Sequence, residues 1–194
     1  MLKATRLPLH ESLEGLDLLA PDWKGHSEIY AARDRCGDAP DRIRSVRNAQ
    51  FKYIRNFHPE LPYLQLSSYK KISYPVETVM KVLHAQGKWT SPFMARTRPN
   101  EELYDLDKDP HGLNNLAADP AQAETLAELR GKIDKWIIDT KDQGTIDESK
   151  TVDMKELMAG KRKYYENAMK KRDLNPDLSD EDYLKWWEKE LQVK

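Results

Sequence analysis

Basic and aromatic side chains alternate between residues 42 and 57, and this is where the sequence concentrates groups that could bind an anion. The stretch holds five cations and three rings: Arg42, Arg44, Arg47, Lys52 and Arg55, with Phe51, Tyr53 and Phe57. Such cations bind phosphate, sulfate or carboxylate groups, and rings can stack on bases. The pattern fits a nucleic-acid backbone, the anionic groups of a sugar, or a solvated strand whose rings belong to the core. Acidic residues nearby balance the charge, which favours the last interpretation.

Other patterns that could carry catalysis or bind metal fail on spacing. The acids at 105, 107 and 109 begin like a calcium loop, but Pro110 and Leu116 stand where that loop needs a glycine and an acid. No histidine lies near Cys36 in the sequence to activate it. The five histidines lack metal-binding spacing: His10, His26, His58, His84 and His111. We therefore predict no catalytic and no metal-binding residue within this chain.

Composition sets the broad class of the protein. The 194 residues are 39% hydrophobic and 34% charged, with a formal net charge of -1. This balance favours neither nucleic acid nor an anionic membrane as a partner. Apolar runs stay well short of the roughly 18 residues that span a bilayer, so we predict no membrane segment. The first residues also lack the apolar core of a secretory signal peptide.

Periodicity predicts an α+β fold, a small antiparallel sheet covered by a long helix, with a helical C-terminal extension. Strands are expected at 26–32, 42–46, 51–57 and 101–106, with the turn of a hairpin at residues 48–49. A polar loop is expected at 33–41, and an ordered, proline-rich loop at 58–75.

Helices are predicted from the spacing of apolar residues and from capping signals. A short helix is expected at 76–86. A longer helix begins at the N-cap Asp119 and Pro120 and stops by Gly144. Two helices are expected in the tail, the first at about 152–171 and the second after Ser179. The domain boundaries follow: 1–25 irregular lead-in, 26–144 the main subdomain, and 145–194 a charged helical extension.

Two segments carry a resemblance to a known family. They are DRIRSVRNAQFKYIRNF at 41–57 and ELYDLDKDPHGLNNLA at 102–117. In this order they resemble the C-terminal region of sulfatases of the alkaline-phosphatase superfamily, which have an R-x-V-R hairpin followed by E-L-Y-D-L-x-x-D-P-x-E-x-x-N-L. Residues 57–63 and 135–136 resemble the heparan N-sulfatase (sulfamidase) branch. The resemblance spans about residues 26 to 144, and it departs at Gly112, where the family usually has an acid.

The resemblance implies an enzyme that hydrolyses sulfate esters or sulfamates of glycans through a formylglycine nucleophile and a calcium ion. The formylglycine motif, C-x-P-S-R or S-x-P-S-R, does not occur in this sequence, and Cys36 is followed by Gly-Asp-Ala-Pro. The nucleophile and metal ligands are thus expected in an N-terminal catalytic domain. This chain is expected to be the C-terminal subdomain, inactive alone, with no cofactor of its own and with calcium in the complete enzyme. By resemblance, the location is extracytoplasmic.

The resemblance also implies where substrate is bound, because in related enzymes the region before the hairpin approaches it. Arginines there can hold anionic groups of a sugar, and acids can accept hydrogen bonds from its hydroxyls. The predicted substrate-binding residues are Arg33, Asp34, Arg35, Asp38, Arg42 and His58. An ion-pair cluster without a binding role explains the same residues equally well.

An alternative function is a non-catalytic interaction or assembly module derived from a sulfatase fold. The tail would then mediate assembly through Trp186 and Trp187, and apolar surface exposed by the missing catalytic domain would allow self-association. Nucleic-acid binding through the hairpin arginines is disfavoured.

Overall fold

The architecture comes from a computed structural model that describes residues 8, 15, 17–36, 39–65, 67–146 and 153–192. Four strands form one antiparallel sheet in the order β1-β2-β3-β4. They are β1 (Ile29–Cys36), β2 (Ala39–Arg47), β3 (Phe51–Asn56) and β4 (Glu101–Asp105). The five α-helices of the described residues are α1 (Ser68–Ser73), α2 (Val76–Ala85), α3 (Ala123–Asp139), α4 (Met154–Lys171) and α5 (Asp180–Glu190). The predicted α+β class is confirmed.

The hairpin of β2 and β3 is the centre of the sheet. The turn forms because the Asn48 side chain accepts hydrogen bonds from the backbone N–H of Gln50 and Phe51, a local closure that asparagine favours. Val46 then pairs with Tyr53, and both side chains are fully buried. The hairpin predicted from alternation is therefore confirmed.

Helix α3 covers one face of the sheet, which we call the helix face. The Asp119 side chain accepts from the N–H of Ala121, and a 3-10 turn (Pro120–Gln122) leads into the helix. Apolar residues at helical spacing then meet Val46, Tyr53 and Leu103 of the strands: Leu126, Leu129 and Ile133. This apolar cluster is the core of the sheet module, as the periodicity predicted.

The outer strand β4 is closed by the chain that follows it. The Asn115 side chain accepts from the N–H of Leu103, and the N–H of Leu116 donates to the Leu103 carbonyl. These bonds replace a neighbouring strand, so the edge of β4 is satisfied. The segment resembling E-L-Y-D-L and its turn thus serves a structural purpose.

The two tail helices pack on the helices inserted between β3 and β4. Helix α4 contacts α1, and α5 contacts α2. The apolar cluster of α1, α4 and α5 contains Ile72, Tyr165, Met169, Tyr183 and Trp187. Hydrogen bonds reinforce it: Tyr183 donates to the Lys71 carbonyl, and Arg172 donates to the Ile72 carbonyl. The structure therefore contains two cores, one under the sheet and one among helices.

Three sequence expectations are wrong. Residues 33–36 and 39–41 belong to β1 and β2 rather than to a polar loop, because their backbones pair across the hairpin. Helix α1 lies within the predicted loop 58–75, where it is held by the tail. Helix α3 ends at Asp139, before the stop that was expected at Gly144. Trp187 is buried and Trp186 packs on Tyr183 and Trp187, so both contribute to the helical core, and the assembly role predicted for them stays a prediction.

Gly144 lies against the fully buried Arg44 side chain, and this generates a prediction. A Cβ at this position would overlap Arg44 Nη2 and would lie 2.8 Å from Asp34 Oδ1. Because Arg44 is held by several partners, it cannot move away cheaply. We expect Gly144→Ala to lower the free energy of unfolding by about 1–3 kcal/mol, measured by urea denaturation.

The matched control is Gly131→Ala. A Cβ there meets nothing within 4 Å, inside α3. Alanine should raise the stability by about 0.5–1 kcal/mol, since glycine is a poor helix former. Equal effects of the two substitutions would contradict the assigned packing of Gly144.

Candidate functional site

Strand β1 separates the predicted substrate-binding residues onto opposite faces of the sheet, because successive side chains of a strand alternate. Asp34 lies on the helix face, where its carboxylate is 2.8 Å from Arg44 Nη2. Arg33 lies on the other face, which we call the open face, among residues of β2, β3 and the loops beyond. Arg35 follows an irregularity in the pairing of β1 with β2 and is half-buried. Asp38 lies outside the described residues.

On the helix face, Arg44 is fully buried and uses its whole guanidinium. Its Nε and Nη2 donate to the two carboxylate oxygens of Asp142 at 2.9 and 2.7 Å, and Nη1 donates to the Ile43 carbonyl at 2.8 Å. Burial alone would lower the pKa of Arg44, but its bonds to Asp142 and Asp34 raise it. The Arg44 guanidinium lowers the pKa of Asp142. Arg44 therefore fastens the chain after α3 to β2 and is not free for a ligand.

Arg42 belongs to the same cluster. Its guanidinium carbon lies 3.8 Å from the centroid of the Phe57 ring, and its Nη2 lies 3.6 Å from Asp142. Only 15% of the side chain is exposed, and Nε makes no hydrogen bond to a described residue. Arg42 is thus packed at the rim of the helix face, away from Arg33.

His58 lies just after β3, with Nδ1 3.0 Å from Glu60 Oε1. Its ring is about half exposed. The structure brings Asp34 and Arg42 together around Arg44 and Asp142, but it places Arg33 and His58 elsewhere. The binding roles predicted for these residues stay predictions.

A groove of about 290 Å³ lies on the open face of the sheet. Its floor comes from β2, β3 and β4, and its walls come from the loops after β3 and β4. Four cationic side chains line it, with a carboxylate from Glu102: Arg33, Arg47, Lys52 and Arg98. Tyr63, Phe93 and Tyr104 add aromatic surface. A concave site with a few converging polar groups and rings is the usual form of a ligand site.

A buried ion pair holds one end of this open-face groove. Arg98 Nη1 and Nη2 donate to the Asp41 carboxylate at 2.9 and 2.8 Å, and Arg98 also donates to the carbonyls of His58 and Leu61. Arg33 Nη2 lies 3.5 Å from the same carboxylate, and its Nε makes no hydrogen bond to a described residue. Asp41 and Arg98 thus fix the position of Arg33, whose side chain stays partly exposed.

The floor of the groove is a closed network of hydrogen bonds. The Glu102 carboxylate accepts from the Asn56 amide and from the Tyr104 hydroxyl. Burial, followed by the bond to Glu102, raises the pKa of Tyr104, and burial raises the pKa of Tyr63 to about 12. Both phenols therefore stay neutral near pH 7, and the ionic chemistry of the groove rests on its arginine and lysine side chains.

The described residues contain no group of three or more His, Cys, Asp or Glu side chains placed to hold a metal ion. The described side chains therefore do not offer a ligand set for calcium, an ion that the family resemblance assigns to the catalytic domain. Among the same residues, no helix is long and apolar enough to cross a membrane.

Comparisons with known proteins identify relatives of the chain. It is 37% identical over 132 residues to an ulvan-active sulfatase of Formosa agariphila, covering 66% of this chain and 22% of that protein. A second ulvan-active sulfatase of this organism is 31% identical, covering 66% and 24%. Human N-sulphoglucosamine sulphohydrolase is 30% identical over 106 residues, covering 52% and 20%. No protein-family model matches the chain.

Solved structures give a weaker likeness. A putative sulfatase from Bacteroides thetaiotaomicron and a 2-O GAG sulfatase each share 20% identity at a TM-score of 0.46, covering 78% of this chain and 24% of theirs.

The chain is homologous to sulfatases over about two-thirds of its length. It spans less than a quarter of the length of the ulvan-active sulfatases that it matches, and a fifth of the human enzyme. The sulfatase resemblance read from residues 41–57 and 102–117 is confirmed, and the human relative is an N-sulphoglucosamine sulphohydrolase.

Sequence reasoning missed the partners that complete both clusters. Asp142 pairs with a residue 98 positions away, and Arg98 with one 57 positions away. Neither partner lies in a periodic pattern, so no local signal marks them. Arg47 and Lys52 did stand out in the basic stretch, but only the fold shows that they share the open face with Arg33.

The buried pair of Arg44 and Asp142 predicts a pH dependence of stability. The pKa of Asp142 is lower in the folded chain than its ordinary value of 3.8. The unfolded chain therefore binds the proton first, and this part of the stability is lost as the pH falls from about 4 through the folded pKa. Asp142→Asn should cost about 3 kcal/mol at pH 7 and should weaken this acid dependence, measured by urea unfolding between about pH 7 and pH 3.

Asp34→Asn is the control, because the Asp34 carboxylate is 49% exposed. It should cost less than about 1 kcal/mol. If it costs as much as Asp142→Asn, the buried pair is not the dominant contact.

Proposed function

We propose that this chain is the C-terminal subdomain of a sulfatase that hydrolyses sulfate esters or sulfamates of glycans. The observation that carries the proposal is homology to sulfatases over two-thirds of the chain, at a share of only 20–24% of their length. A matching catalytic domain would be the partner, and a sulfated glycan the substrate. Relatives acting on ulvan and on N-sulphoglucosamine support a glycan.

The chemistry would be divided between the two parts. The proposed catalytic domain would supply formylglycine as nucleophile and a calcium ion to hold the sulfate. This chain would contribute side chains that position the glycan, among them Arg33, Arg35 and Asp38. We also propose an extracytoplasmic location, which rests on the family resemblance alone.

A sulfate-release assay tests this proposal. The chain alone should release no sulfate from N-sulfoglucosamine or from sulfated ulvan oligosaccharides, because its sequence lacks the C-x-P-S-R and S-x-P-S-R motifs. The complete protein, which joins this chain to the proposed catalytic domain, should release sulfate in a calcium-dependent reaction. Calcium-dependent release by the pure chain would refute the assigned division of labour, and so would a complete protein with no sulfatase activity.

Arg33 is the binding residue that the structure makes easiest to test. Its side chain is 39% exposed, and its Nη2 makes only a 3.5 Å contact with the Asp41 carboxylate. Hydrogen bonds to charged groups contribute about 1.5–3 kcal/mol, so Arg33→Ala in the complete enzyme should raise KM about tenfold or more. The measurement is steady-state kinetics on a sulfated oligosaccharide.

Arg162→Ala is the matched control, because Arg162 is exposed on α4 and pairs with Glu166 and Asp177. It should leave KM unchanged. Unchanged KM and kcat in Arg33→Ala would remove Arg33 from the binding site.

A further inference from the structure

A pair of unneutralised cations lies at the far end of the open-face groove from Arg33. Arg47 and Lys52 are directly opposite each other in the pairing of β2 with β3, so their side chains leave the same face. Neither forms an ion pair with any described residue, and of the two Lys52 is half-buried while Arg47 is exposed. Like charges directly opposite each other destabilise a sheet. An anion bound between them would remove this cost.

The surroundings of this pair suit a sugar rather than a bare ion. Lys52 is also opposite Tyr104 of β4, so the Tyr104 ring leaves the sheet on the same face. Gly112 covers that ring: a Cβ there would lie 3.5 Å from Tyr104 Cγ. Arginine, lysine and tyrosine at one end of a concave site can bind the anionic group and the apolar face of a sugar together.

The groove has a second cationic end four residues further along the strands. Arg33 pairs with Ile43 and Ile43 with Asn56, whereas Arg47 pairs with Lys52. At about 3.3 Å per residue, the two rows are roughly 13 Å apart. Between them the floor holds the Glu102 carboxylate, which is already bonded to Asn56 and Tyr104. The groove thus fits an extended ligand with anionic groups at two separated points.

We propose that the open-face groove binds a sulfated oligosaccharide at two points, with Arg47 and Lys52 holding one sulfate or carboxylate group and Arg33 holding another. The identification of the ligand as a sulfated glycan rests on the proposed function, while the two-point geometry rests on the strand pairing. A nucleic acid is the less suitable polyanion, because the chain carries a net charge of -1 and the cations are confined to a short groove.

Gly112 provides a charge test with an almost isosteric control. It has φ of +62°, a region that asparagine and aspartate tolerate better than other side chains, and its Cβ would make only ordinary contact with Tyr104. Gly112→Asp adds a carboxylate next to Tyr104 in the groove that Lys52 also lines, and Gly112→Asn adds the same shape without charge. Circular dichroism checks that both variants remain folded.

The experiment is calorimetric titration of the chain with a heparin-derived hexasaccharide at low ionic strength. We expect saturable binding that Gly112→Asp weakens about tenfold and Gly112→Asn changes less than about twofold. Lys52→Gln should also weaken it several-fold. Lys108→Gln, which removes an exposed cation outside the groove, should leave it unchanged.

Several results would overturn the proposal. Equal affinities of the Gly112→Asp and Gly112→Asn variants would exclude binding beside Lys52, and equal losses in Lys108→Gln and Lys52→Gln would indicate a non-specific charge effect. If inorganic sulfate displaces the hexasaccharide when the concentrations of free sulfate and of hexasaccharide sulfate groups are equal, binding at two points is excluded. Tighter binding of a single-stranded DNA of matched charge, with the same response to the variants, would assign the groove to nucleic acid. Because this readout is binding by the chain alone, its failure is distinct from a loss of sulfate release by the complete enzyme.

Discussion

The buried charge of Arg44 is the constraint on which the arrangement of the sheet depends. A guanidinium removed from water is tolerated only when its donors are satisfied and its charge is matched. Asp142 provides both, since it accepts two hydrogen bonds from Arg44. Asp142 lies just beyond the end of α3, so its pairing with Arg44 sets where the chain leaves the helix. The apolar cluster holds α3 on the sheet, and this ion pair fixes its C-terminal end.

The same constraint decides which residues remain available for a ligand. Arg44, Arg42 and Asp34 are drawn into the cluster around Asp142 on the helix face. On the open face, one carboxylate, Asp41, serves both Arg98 and Arg33. Arg98 makes the two shorter contacts, which leaves Arg33 with a longer contact and a partly exposed side chain. The cations able to bind an external anion are thus on the open face, and strand alternation separates them from their sequence neighbours.

Local sequence patterns predicted the helices and strands, but they did not predict the contacts between residues far apart in the chain. The hairpin could be predicted because both the alternation of its strands and the turn at Asn48 depend on residues close together in the sequence. Helix α3 could be predicted from its cap and its apolar spacing. The end of α3 could not, because Gly144 is needed to fit against Arg44 rather than to stop a helix. Strand pairing of residues 33–36 was also hidden, since charged residues look like a loop until a neighbouring strand satisfies their backbone.

The candidate site also depends on packing between segments that are far apart in the sequence, and the C-terminal tail takes part in this packing. The groove walls come from the segment between β3 and β4, which includes Tyr63, Phe93 and Arg98. That segment also contains α1, whose Ile72 belongs to the apolar cluster of α4 and α5, and α2, which contacts α5. Short helices are rarely stable alone, so most of their stability must come from such packing. By burying Ile72 under Tyr165 and Trp187, the tail stabilises the insertion that positions Arg98, and through Asp41 it also influences the placement of Arg33.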